Sequence, residues 1–169
     1  MLITLASFDD SAAILDLQKL AYQSEAAIYN DFSLPPLTET LEDRRSQFSS
    51  KVVLKAVDLG RIIGSVRAYQ EEKTCHIGRL VVHPDYQRQG IGGQLMKQIE
   101  DSFVAVERFE LFTGHRSETA LRLYERLGYR VFKQEPVHDR LTLVFLEKRR
   151  SEARSFQKRS DILLEKKNE

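Results

Sequence analysis

The chain has 169 residues, 41% hydrophobic and 30% charged, with Lys+Arg 26 set against Asp+Glu 25. That length favours one domain with a real core, and the near balance of charge provides no global field that would demand nucleic acid or an anionic membrane. Cys75 is the single cysteine, which excludes an internal disulfide and a multi-cysteine metal site, so no metal is expected. MLITLASFDD carries neither the basic stretch nor the apolar run of a signal peptide, and no apolar run approaches the ~20 residues that span a bilayer; a cytoplasmic location is the expectation.

Residues 2–6 (LITLA) read as a short strand, and Asp9, Asp10 and Ser11 offer caps for the helix after it. Ile14, Leu15, Leu17, Leu20 and Ala21 share one face of a helix running from Ala12 to about Tyr29. FSLPPLT then imposes an extended break, because proline disfavours helix in the residue before it. Thr38 caps a second helix through TETLEDRRSQF, with acids in the first turn and arginines later. VVLKAVD and RIIGSVRAY, separated by LG, read as a hairpin, and CHIGRLVV as a third strand.

After the glycines of HPDYQRQGIGGQLM, Ile91, Leu95, Ile99 and Phe103 recur every four residues, as on one helical face. RFELFT is strand-like, SETALRLYERLG is a helix stopped by Gly128, and YRVFKQ and LTLVFL are final strands. The order β-α-α-β-β-β-α-β-α-β-β describes an α/β (α+β) chain, with a mixed sheet and helices on it rather than strict βαβ repetition. A domain over 1–147 is followed by a charged extension, 148–169, expected as a solvated helix rather than a nucleic-acid arm. Its Phe156 and Leu163 could touch the body or a second copy, which leaves a homodimer open.

Three glycines in four positions, between a strand and a helix start, describe an anion site. Helix-start N–H groups lack partners there, the dipole favours negative charge, and a side chain would obstruct the approach. A Walker A loop would need Lys-Ser/Thr after the glycines, but Gln94 and Leu95 follow; a G-x-G-x-x-G loop would need glycine where Leu95 stands.

What remains, Gln87-Arg88-Gln89-Gly90-Ile91-Gly92, resembles the Q/R-x-x-G-x-G/A loop of the GNAT superfamily of acetyl-CoA-dependent N-acetyltransferases, and RLVVHPDYQ resembles that family's approach strand. Downstream, SETALRLYERLGY is similar to the family's N-x-x-A-x-x-x-Y-x-x-x-G-(F/Y) motif at Ala120, Tyr124, Gly128 and Tyr129, with Ser117 where Asn is common. The resemblance is clearest over residues 76–129. It implies a mixed, mostly antiparallel central sheet of six to seven strands flanked by about four helices.

The resemblance further implies a pyrophosphate held by main-chain N–H groups from Arg88 to Gly93, and pantetheine paired with Leu80, Val81 and Val82. Ser117 and Ala120 would lie near the pantetheine arm, and a backbone N–H near Val81 or Val82 would face the charge that develops on the acyl oxygen. Tyr124 would donate to the departing sulfur. Many relatives carry a Glu on the third strand of the hairpin region; this chain has His76 and Gly78 there, so His76 and Glu110 are the candidate bases. Strand alternation puts His76 on the face of Leu80 and Val82.

Tyr29 and Phe32 could wall an acceptor pocket, with Asp31 or Glu39 attracting a cationic amine. Arg88, Lys97, Arg122 and Arg126 could meet coenzyme A phosphates, and each is also an ordinary exposed charge. The expected activity is acetyl transfer to a primary amine of a small molecule or peptide by direct attack. The alternatives are an acyl-CoA-binding module without turnover and an interaction protein working through its tail.

Overall fold

The computed structural model describes residues 1–150; Lys148 and Arg149, expected in the extension, belong to the last strand, and residues 151 onward, with Phe156 and Leu163, lie outside the described residues. One sheet of seven strands runs β1-β2-β3-β4-β5-β7-β6. The strands are β1 (Leu2–Leu5), β2 (Val52–Asp58), β3 (Arg61–Glu71), β4 (Thr74–Val82), β5 (Arg108–Gly114), β6 (Arg130–His138) and β7 (Leu141–Arg149). Every neighbouring pair is antiparallel except β4–β5. The helices are α1 (Ser11–Ala21), α2 (Gln23–Tyr29), α3 (Pro35–Thr38), α4 (Leu41–Ser46), α5 (Ile91–Asp101) and α6 (Glu118–Arg126). This is the mixed, mostly antiparallel sheet expected, with more helical segments than the expected four.

The extra segments come from the N-terminal half. The helix expected over 12–29 is interrupted at Tyr22, beside which the Ser24 hydroxyl donates to the Ala21 carbonyl at 3.2 Å and competes with the backbone ladder. The proline stretch is not wholly extended: Leu34 is, and Pro35 and Pro36 then begin the one-turn α3, where a missing N–H costs nothing. Thr38 is spent in that turn, so the cap of α4 falls to Thr40. Its Oγ1 accepts from Asp43 N–H at 3.1 Å, and the Asp43 carboxylate accepts from Thr40 N–H at 3.2 Å.

Apolar side chains cover both sheet faces. Under α5 and α6, Leu95, Met96 and Ile99 are fully buried against Leu54, Val66, Ala68, Cys75, Ile77, Phe109 and Leu146. Ile14, Leu15 and Leu17 of α1 cover the other face, over β3 and β4.

A β-bulge decides which residues of β4 face which layer. Ser65 pairs with Val81 but Arg67 pairs with Gly78, so β4 holds one extra residue between those points, where Arg79 adopts φ +52°. The extra residue reverses the alternation. Cys75 and Ile77 therefore share the α5 face with Leu80 and Val82. His76 is consequently on the face opposite Leu80 and Val82, contrary to simple alternation, and its ring stacks on Tyr69 at 5.0 Å.

At the far end of β5 the backbone of Gly114 lies under the Tyr29 ring. A Cβ there would stand 2.0 Å from the Tyr29 hydroxyl oxygen and 2.4 Å from Cζ. Gly114→Ala should therefore displace a buried ring and cost about 1–3 kcal/mol, read as a lower urea midpoint with an unchanged m-value. A loss within about 0.5 kcal/mol, the usual range of a surface change, would mean that the ring is free to move.

Candidate functional site

The strand-to-helix turn after β4 is built to leave donors free. His83 Nδ1 accepts from Asp85 N–H at 3.2 Å, and the Gln87 side chain donates to the Val82 carbonyl at 3.3 Å, pinning both shoulders of the loop. Arg88 (φ +60°) and Gly90 (φ +80°) are left-handed, and no side chain caps α5. A Cβ on Gly90 would meet nothing within 4 Å, so glycine is needed there for its dihedrals rather than for space. Gly92 is the reverse case: its Cβ would come 3.3 Å from Leu123 of α6 and close to Leu80 and Val82. The first intrahelical bond runs from Gln94 N–H to the Gly90 carbonyl; among the described residues no hydrogen bond is formed by the N–H groups of residues 88–93.

Beside this loop the sheet opens. β4 and β5 pair only where Thr74, Cys75 and His76 meet Arg108, Phe109 and Glu110. Beyond that register the two strands part, and the outer edge of β4 is left unpaired. His83 N–H donates to the Ile63 carbonyl at 2.8 Å. Antiparallel alternation then turns the Val81 N–H toward β3 and the Val82 N–H toward the opening. Leu80 to Val82 thus line the opening by backbone, and of the two donors expected for an oxyanion only Val82 faces it.

Tyr124 of α6 is buried, edge-on to Tyr129 at 6.0 Å. Burial, then Tyr22 and Glu25, push its phenol well above the ordinary tyrosine value. Those two neighbours come from the α1–α2 segment and belong to none of the sequence motifs. Tyr22, Glu25 and Tyr29 recur at helical spacing, and that was the signal available for them. Ala120 is half-buried on the same helix, against the core.

The expected bases lie elsewhere. His76 and Glu110 are register partners at the closed end of the opening. His76 Nε2 is 3.5 Å from Glu71, and the Glu110 carboxylate pairs with Arg108. Ser117 has its hydroxyl tied to α2. It is buried at the α6 cap, where the Tyr29 hydroxyl meets Ser117 Oγ at 2.7 Å, Ser117 Oγ donates to Glu25, and Arg116 N–H donates to Tyr29 at 3.0 Å. Tyr29 is accordingly a buried tie between α2 and α6, not a pocket wall.

Asp31 is occupied as well: Ser33 and His138 bind its carboxylate and lower it to about 2. Phe32 is exposed. Lys97 and Arg122 pair along their own helices with Asp101 and Glu118, and Arg88 and Arg126 are exposed. Cys75 is buried and its thiol is pushed up to about 12, chiefly by desolvation, so it is no thiolate at neutral pH.

Comparison with known proteins gives the family and the fold. The profile of the Acetyltransferase (GNAT) domain family matches residues 18–150. The chain belongs to that family. The UPF0157 protein YqkA of Bacillus subtilis is 32% identical over 116 residues, 69% of this chain and 33% of that protein. The catalytic subunit NAA20 of the N-terminal acetyltransferase B complex of Arabidopsis thaliana is 29% identical over 79 residues, 45% of each chain. The chain therefore spans only a third to a half of these relatives. The Salmonella typhimurium acetyltransferase yncA, solved with its cofactor acetyl-CoA, superposes with TM-score 0.71 at 22% identity, covering 88% of this chain and 92% of that one.

The GNAT domain adds a polar cluster that no motif announced. Glu39, expected as a lure for amines, is buried and saturated. One oxygen accepts from Gln47 at 2.8 Å and Arg67 at 3.0 Å, the other from Gln18 at 2.6 Å and Arg44 at 3.2 Å, with Arg79 Nε at 4.0 Å. These partners outweigh the desolvation of its carboxyl, which stays below the ordinary range. Among the described residues no three His, Cys, Asp or Glu side chains gather as a metal site, and no helix is long and apolar enough to cross a membrane.

Gly90→Glu should abolish coenzyme A binding measured by calorimetry. The residue would be forced into a conformation costing about 1–2 kcal/mol while placing a carboxylate among the free N–H groups. Unchanged affinity would show that the loop holds no phosphate.

Proposed function

We propose that this GNAT domain transfers an acetyl group from acetyl-CoA to a primary amine of a small molecule or peptide, by direct attack and without a covalent enzyme intermediate. The observation that carries the reading is the meeting, in one opening, of a glycine loop with free N–H groups and the unpaired edge of β4. The residues present fit coenzyme A. Free N–H groups over residues 88–93 suit a pyrophosphate, the bare β4 edge suits the pantetheine amides, and Ala120 and Gly92 keep α6 and α5 close without blocking it. When bound, acetyl-CoA supplies an activated acyl thioester. The Val82 N–H is the donor for the acyl oxygen.

Tyr124 serves as a hydrogen-bond donor to the leaving sulfur rather than as an acid that surrenders its proton. An ordinary phenol near ~10 giving its proton to a thiolate near ~8.5 is uphill by roughly 2 kcal/mol, and burial of Tyr124 makes that transfer steeper. Glu25, the carboxylate that acts on Tyr124, takes the proton from the attacking amine in place of His76 or Glu110. The demand on that base depends on the acceptor: deprotonation at neutral pH costs about 1 kcal/mol for an α-amine and about 4–5 for a lysine amine. The N-terminal acetyltransferase relative in Arabidopsis favours the first kind.

An amine panel with thiol-release readout should find amine-dependent turnover; tight coenzyme A binding without any such release overturns the reading. Tyr124→Phe should lower kcat by about 10–100-fold, the loss of one charge-assisted hydrogen bond, with acetyl-CoA affinity held. A Tyr124 that only packs would instead lose melting temperature and keep kcat. Glu25→Gln should depress kcat at pH 7 more than at pH 10 on a lysine-type amine, because at the higher pH much of the amine is already neutral. A uniform loss across pH would remove Glu25 from that role.

A further inference from the structure

Three arginines and a lysine crowd the α1 face of the sheet beside the opening. Arg44 is 1% exposed and Arg67 8%. Both bind Glu39, which Arg79 approaches at 4.0 Å. Lys51 completes the group, its Nζ 5.2 Å above the Tyr69 ring. Glu39 is the one carboxylate, among the described residues, that pairs with any of the four. One paired carboxylate therefore serves four cations in a poorly solvated place. The group registers the excess: desolvation first, then the neighbouring cations, lower Arg44 to about 10 and also lower Lys51. Among the described residues, two buried donors, Arg44 Nε and Arg79 Nε, have no partner. Buried cations with idle donors and surplus charge are costly unless an anion completes them.

The cluster is closed on one side and open on the other. Glu39, Gln18 and α4 seal the inner side. On the outer side the Arg79 side chain is 19% exposed, and a Cβ on Gly78, the register partner of Arg67, would meet nothing within 4 Å. The open side borders the chemistry. Arg79 immediately precedes Leu80, its charge acts on Tyr22, and Tyr22 acts in turn on Tyr124. The glycine loop starts α5, which covers the other sheet face. A direct attack brings the amine to the thioester from outside the coenzyme, and this basic face is what an amine arriving over α1 and β4 would meet.

We propose that the acceptor is a primary amine carrying an anionic group, a carboxylate or a phosphate, which Arg79 and Arg67 hold with Lys51 at the rim. This rests on the acetyl-transfer reading above and names its substrate class. Arginine suits the task because its planar fork matches either oxyanion. Glu39 then holds the guanidinium groups in place and neutralises only part of their charge.

Matched amines test the proposal and separate the two oxyanions: β-alanine against its amide, O-phosphoethanolamine against ethanolamine, and a peptide with aspartate against the same peptide with asparagine. In at least one pair kcat/KM should favour the anionic member by about 10-fold or more, the scale of one charged hydrogen bond. Arg79→Gln should erase that preference, read as the ratio of kcat/KM between the two members of each pair, and Arg79→Lys should restore part of it. Melting temperature and coenzyme A affinity of each variant show whether the bulge survives.

A second measurement needs no turnover. With coenzyme A saturating, so that the glycine loop is filled, inorganic phosphate should raise the melting temperature above chloride of equal ionic strength in the unsubstituted protein and not in Arg79→Gln. Equal rates within every pair, with no phosphate-specific stabilisation, overturn the anionic acceptor and leave acetyl transfer standing. Coenzyme A binding without turnover on any amine overturns acetyl transfer, and the phosphate measurement then decides the anion site by itself.

Discussion

Parallel strands β4 and β5 hold together over three residue pairs and then part, and the rest of the molecule is arranged around keeping them apart. A parted pair leaves backbone N–H and C=O groups without ladder partners, which is costly in a buried place unless something else supplies them. Two devices on opposite sides maintain the gap. On the β3 side, the extra residue at Arg79 bends β4 out of the line it shares with β5. On the β5 side, the Tyr29 ring is seated on Gly114 while its hydroxyl ties Ser117 at the start of α6, so β5 is gripped by helices and not by its parallel neighbour. The left-handed Arg79 is strain placed where the cleft needs it.

The parting explains how the glycine loop and the helix of Tyr124 come together though they are distant in sequence. α5 begins where β4 ends, so its free N–H groups stand at one end of the unpaired edge. α6 follows β5 through Ser117, which brings Tyr124 to the other side of the same gap. Gly92 against Leu123 lets the two helices close on each other without filling it. Each landmark is local, and the common space between them is a product of topology.

Patterns governed by neighbours in sequence were legible beforehand. The seven strands, the helix after the glycines and the stop at Gly128 follow from periodicity and turn chemistry, and the loop's dihedrals follow from its glycines. What escaped was governed by partners far along the chain. The bulge in CHIGRLVV has no glycine at its left-handed position, Arg79, so alternation was carried straight through it and His76 was assigned to the wrong face. Thr38 and Thr40 are equally good caps in isolation; Glu39, drawn inward by three arginines, decides between them. Tyr29, Asp31 and Glu39 look like free pocket groups because each has a partner 28 residues or more away, Ser117, His138 and Arg67, besides nearer ones such as Ser33 and Arg44.

The same limit hid the basic cluster. Arg44, Arg67 and Arg79 lie on α4, β3 and β4, and each in its own segment is an ordinary charged residue. Their excess over Glu39 exists only after α1 and α4 fold onto the sheet and remove them from water. A cluster meant solely to brace the fold would reach neutrality, because each unmatched buried cation weakens it. Here the surplus sits at the bulge, the one element whose other task is to open the sheet. Cleft and surplus charge therefore share a residue, Arg79, and a change there acts on the shape of the opening and on the sign of what it attracts at once.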